Sequence, residues 1–149
     1  MQKIEARIRD VKCGEGVTII EPSNLYECHL ASDVFIGPFV EIQKGVTVGA
    51  RTKVLSHTFI CELVSIGEDC FIGHGVMFIN DAFSDGGPAY GDVSKWRATK
   101  IGNHVSLGSN ATVMPVEICD GVVIGAGSVV TKDIDAPGVY AGNPCRKLR

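Results

Sequence analysis

Four side chains could move a proton or aim the group that carries it: His74, Asn80, Asp81 and Glu117. His74 opens the string H-G-V-M-F-I-N-D, which closes on Asn80 and Asp81. An imidazole titrates close to neutral pH, so His74 is the general-base candidate. Asn80 and Asp81 stand where a regular pattern in the chain stops, a position from which both can reach outward, the amide to orient a substrate and the carboxylate to accept from it. The same pair also reads as an Asx turn at a strand end. Glu117 sits at a second irregularity and is a further carboxylate base, or else a solvated glutamate. His74 has its own alternative, a histidine satisfied at a subunit face, and His57 stands 17 residues earlier.

The pattern that positions these residues has a period of six. Leu30, Ile36, Ile42, Val48, Val54, Ile60, Ile66, Ile72 and Phe78 follow one another at that spacing without a gap. Neither a helix nor a plain amphipathic strand repeats at six, and branched residues favour strands. Glycine follows the anchor in Ile36-Gly37, Val48-Gly49, Ile66-Gly67 and Ile72-Gly73. Short strands joined by sharp corners meet this pattern, with the anchor pointing inward and the next residue bending the chain. The period returns at Ile101-Gly102, Leu107-Gly108 and Val113, then, one residue short, at Ile118, Ile124-Gly125 and Val130. The lost residue falls at Met114-Pro115-Val116, where proline cannot donate to a sheet ladder.

Between Phe78 and Ile101 the period stops. A loop of about residues 79–100 is expected there, and its Phe83, Tyr90 and Trp96 argue against simple disorder. Composition bounds the rest. The chain has 149 residues, 45% of them apolar, a net charge of -3 and no basic run suited to nucleic acid. A single domain, 1–149, is expected, without signal peptide or membrane span and cytoplasmic. The six cysteines include no C-x-x-C pair, so they read as reduced, mostly buried, small apolar side chains.

The sequence resembles the hexapeptide-repeat acyltransferases from about Val17 to Arg146. The strings Ile20–Tyr26, Ile36–Gln43, Leu55–Glu62 and His74–Asp81, in that order, are similar to the branch that N-acetylates nucleotide-linked 3-amino sugars for bacterial surface polysaccharides. This resemblance implies an all-β fold, a left-handed parallel β-helix with three hexapeptides per coil and one long inserted loop. It would stack Ile36 on Val54 on Ile72, and Ile42 on Ile60 on Phe78. It also implies a homotrimer with sites between neighbouring prisms, and acetyl-coenzyme A as acyl donor with no metal.

By the same resemblance, Asp81 accepts from the amine of a UDP- or dTDP-linked amino sugar and Asn80 orients it. Coenzyme A then lies along small residues Ser106, Gly108, Ser109 and Ala126, with Lys132, Arg146 and Lys147 meeting its phosphates. Where relatives carry a basic stretch after F-x-N-D, this chain has Asp85, which favours a neutral deoxysugar over an anionic one. A sugar O-acetyltransferase and a non-catalytic solenoid are rival readings. A hexapeptide-type zinc carbonic anhydrase is another, but it needs two histidines five residues apart, and those here fall at 29, 57, 74 and 104.

Overall fold

The computed structural model describes residues 1–5 and 7–149. From Ile8–Arg9 onward the chain winds through short strands, most of two residues, separated by corners. Each third strand pairs in parallel with the one a coil away, giving faces of seven, six and eight strands, named here A, B and C. About seven coils stack in this way, in keeping with the left-handed β-helix that the resemblance implies. The chain passes from face A to B to C in every coil, so the corners form three edges, AB, BC and CA.

Registry follows the period. Ile36 pairs with Val54 and Val54 with Ile72, while Ile42 pairs with Ile60, as the 18-residue coil requires. Every anchor from Leu30 to Phe78 is at most 4% exposed, and Ile101, Leu107, Val113, Ile118, Ile124 and Val130 continue the same core. A second inward position two residues before the anchor holds Val34, Val40, Val46, Val76 and Val105, and also Thr52, Thr58 and Ser128. Those buried hydroxyls donate to the carbonyls of Gly67, Gly73 and Gly125. A hydroxyl is tolerated inside because its hydrogen bond is made there.

The glycines after the anchors have a different cause from the one the sequence suggests. Positive φ falls three residues after the anchor instead, at Phe39, His57, Gly75, Asn110 and Gly127 along the CA edge, with φ between 59° and 68°. What the glycine directly after the anchor provides is close stacking of coils. A Cβ on Gly49 would lie 2.4 Å from the backbone of Gly67, and one on Gly108 would lie 2.4 Å from the nitrogen of Ala126.

The excursion leaves face A after Met77–Phe78 and rejoins face B at Thr99–Ile101, two residues sooner than expected. Ile66 therefore pairs with Ile101, across 35 residues instead of 18. The shortened repeat is also confirmed, since Ile101 pairs with Ile118 and Val113 with Val130, 17 residues apart. All six cysteines are free, but only Cys28, Cys61 and Cys70 are buried, with Cys119 and Cys145 half-buried and Cys13 exposed. Burial pushes the Cys28 thiol up to about 11 and that of Cys61 to about 12, which keeps both protonated and inert. Among the described residues no helix is long and apolar enough to cross a membrane.

Candidate functional site

The two irregularities of the repeat come together on the AB edge. One coil holds Asn80 and the excursion, and the next holds Met114-Pro115-Val116 at the shortened corner. Asn80 is tied into the coil before it, its Nδ2 donating to the Glu62 carbonyl at 3.2 Å, while its own carbonyl accepts from the Arg97 amide. Both oxygens of Asp81 are taken up by the loop. Oδ1 accepts from the Phe83 amide at 3.0 Å and Oδ2 from the Ala89 amide at 2.7 Å. The Asx-turn alternative is thus what the geometry displays, with Asp81 clamping the first half of the excursion.

The rest of the loop is built on the same local chemistry. Asp92 accepts from the Ser94 amide and hydroxyl at the start of a single 3-10 turn, Val93–Lys95, and Lys95 reaches Asp85 at 2.8 Å. Ala89 is the one buried residue of the described loop, whereas Phe83 and Tyr90 are exposed. Replacing Asp81 by asparagine removes one acceptor from this clamp. Hydrogen exchange at the Phe83 and Ala89 amides is expected to speed up about tenfold, the scale of one lost hydrogen bond, and turnover to fall far more than in Glu117→Gln. Equal turnover in the two variants would remove the loop from the site.

Glu117 lies on face B, exposed, beside Lys100. With Asp120, Asp133 and Asp135 it lines a hollow of about 700 Å³. Four carboxylates facing one lysine make that hollow a poor place for a phosphate. Its size is therefore no argument for the substrate site, and Glu117 reads as a solvated glutamate.

His74 is on another edge. It sits at the CA corner, exposed, and its Nδ1 is 2.8 Å from the Ser56 hydroxyl. Ser56, not His57, is its neighbour in the preceding coil, because the register there is 18 residues and not 17. The sequence holds this signal, yet it is read only by counting back one full coil. His57 instead stacks on Phe39, with ring centroids 5.0 Å apart. Face A separates His74 from Asn80 and Asp81, so one protomer does not bring the three together.

The small residues do share the edge with His74. A Cβ on Gly73 would lie 2.8 Å from the nitrogen of Ser109, and Gly108 packs on Ala126, so His74, Ser109 and Ala126 follow one another in successive coils. The Asn110 amide donates to the His74 carbonyl and that of Gly127 to the Ser109 carbonyl. Ser106 is next to this corner on face C. Further along, the amide of Val129 donates to the Gly142 carbonyl and that of Cys145 to the Val129 carbonyl, which joins the edge to the C-terminal strand Arg146–Lys147. There Arg146 and Lys147 line a hollow of about 300 Å³ with Tyr140, closed on its other side by Lys132 and Asp133 of the AB edge. A narrow track without bulky side chains, ending at Arg146 and Lys147, suits a chain that carries phosphates at one end.

Known proteins agree with the coil. The GlmU protein of Campylobacter concisus, a bifunctional protein, is 41% identical over 106 residues, 70% of this chain and 21% of that one. The chain spans about a fifth to a quarter of the length of such curated relatives. Among solved structures, a point mutant of AntD, an N-acyltransferase from Bacillus cereus in complex with dTDP and coenzyme A, superposes with a TM-score of 0.82 at 24% identity, covering 93% of this chain and 82% of that one. At that identity the likeness is one of fold. NeuO, a polySia-specific acetyltransferase, gives a TM-score of 0.65 at 30% identity, covering 95% and 65%. A family model described as the hexapeptide repeat of succinyl-transferase matches residues 63–77 and 98–132. Those matched residues stop and resume on either side of the excursion, so what the family model reads is the coil itself, and the chain carries that family's hexapeptide repeat.

Proposed function

We propose that the protein transfers an acyl group, acetyl in the first instance, from a coenzyme A thioester to the amino group of a UDP- or dTDP-linked amino sugar used in bacterial surface polysaccharide. The observation that carries this reading is the CA edge. It has a general-base candidate, His74, at the head of a small-residue track that ends at Arg146 and Lys147, with Lys132 across the same hollow from the AB edge. AntD, an N-acyltransferase with dTDP and coenzyme A bound, supports it through a shared fold.

The chemistry needs little from the protein beyond placement. The amine must be deprotonated and aimed at the thioester carbonyl, and water excluded. His74 serves the first need, Asn80 and the Asp81-clamped loop the second. They stand on different edges of one prism, so we take the working unit to be a homotrimer. A heterologous threefold contact sets unlike surfaces of neighbouring copies against each other, and would bring one copy's loop to the next copy's CA edge.

Acetyl-coenzyme A and a panel of UDP- and dTDP-amino sugars should release free thiol with at least one member. Absence of thiol from every amino sugar with folded protein would end the amine reading. The identity to NeuO, a polySia-specific acetyltransferase, exceeds that to AntD, so polySia is the second acceptor to test, with transfer to a sugar hydroxyl as the rival reaction. Replacing Arg146 and Lys147 together by glutamine should raise KM for acetyl-coenzyme A about tenfold or more, since charge-assisted hydrogen bonds to phosphate are the strong ones. The KM for the sugar should stay, and an unchanged donor KM would move the phosphates elsewhere.

A further inference from the structure

We propose that Ser56 is a positioning residue for His74, its hydroxyl accepting from Nδ1–H so that Nε2 carries the free lone pair. This rests on His74 acting as base in the acyl transfer proposed above. The two side chains meet at 2.8 Å from successive coils of the CA edge. Neither can slide along that edge, because the Gly75 amide donates to the Ser56 carbonyl at 2.9 Å and the Asn110 amide to the His74 carbonyl at 2.8 Å. Among the described residues Ser56 is the side chain that bonds to the His74 ring, and no carboxylate does so.

A hydroxyl is able to donate or accept, so the direction of this bond needs an argument. Neutral imidazole has one N–H and imidazolium has two. If Ser56 donated to Nδ1, the neutral ring would already hold its proton on Nε2 and offer no free lone pair there to the amine proton, so the ring would have to exchange protons or turn at each cycle. With Ser56 accepting, Nδ1–H stays bonded in both charge states and Nε2 alone takes up and returns the proton. During transfer the amine nitrogen bonds to the thioester carbonyl carbon and gives one proton to Nε2. The C–S bond then breaks, and the departing thiolate recovers that proton from Nε2. The products are the amide, free thiol and neutral imidazole. Ser56, being uncharged, fixes the tautomer and the ring without the attraction that a carboxylate would offer the imidazolium.

The test begins on the wild-type protein without substrate. Side-chain 15N spectra, with His74→Gln identifying the His74 signals, should show the Nδ1–H form. In Ser56→Ala the same signals should move toward the Nε2–H form that free histidine prefers. With an accepted amino sugar, Ser56→Ala should lower kcat roughly three- to tenfold, the scale of one hydrogen bond, leave both KM values unchanged, and be rescued by Ser56→Thr. Adding Ser56→Ala to His74→Ala should cost nothing more. An Nε2–H signal in the wild type, or wild-type kcat in a folded Ser56→Ala, overturns the proposal. Should Ser56→Ala not fold, the wild-type tautomer decides. Failure of the transfer reading is separate, since it shows as absent thiol whatever the tautomer.

Discussion

Replacing His74 by alanine is expected to lower kcat by about 100-fold or more, the contribution usual for a positioned general base. The fold should survive, because the side chain is exposed and makes one bond, to Ser56. The loss should appear in kcat, with both KM values near the wild type, since a base works on the transition state and adds little to binding. The measurement is steady-state thiol release with the accepted amino sugar, beside a thermal melt. A melt within a few degrees of the wild type and a kcat drop of less than threefold would mean that the amine arrives deprotonated by other means. The CA edge would then be a binding track only, and the loop would become the better place to look for catalytic groups.

Phe78→Ala is the largest expected effect on stability. Phe78 is fully buried and among the largest side chains in the core, paired in the ladder with Val113 of the following coil. Truncating such a residue removes its burial and leaves a cavity that stacked coils close poorly, at a cost of about 3 to 5 kcal/mol. Urea unfolding at fixed protein concentration should show a lower midpoint with an unchanged slope. Coils contact mainly their neighbours, so the damage should centre on the coil that launches the excursion. Exchange at the Asp81-bonded amides should rise with it. A cost below about 1 kcal/mol would mean that the ladder repacks around the gap.

How far the fold was legible is clear from particular residues. The anchors from Leu30 to Phe78 are all inside, because a hexapeptide leaves its branched residue no other dry place. The excursion and the lost residue near Pro115 were equally plain, since each breaks a count. The reason for the glycines was misread from the string alone: Gly49 and Gly108 are needed for approach of the next coil, while the left-handed corner lies two residues further on. Composition cannot separate those causes, because both favour glycine. Asp81 was legible as functional or as an Asx turn, and only its bonds to Phe83 and Ala89 display the turn.

By itself the sequence determined which side chains face inward, where the coil is interrupted, and which residues are able to do acid–base chemistry. Direction follows from a local period, and six residues suffice to set it. The tertiary structure decided which of those residues are neighbours. Coils of 17 and 18 residues and one of 35 add up along the chain, and a change of one residue moves every later partner. That sum placed Ser56 rather than His57 against His74, stacked the two irregular corners on one edge, and left the histidine on another.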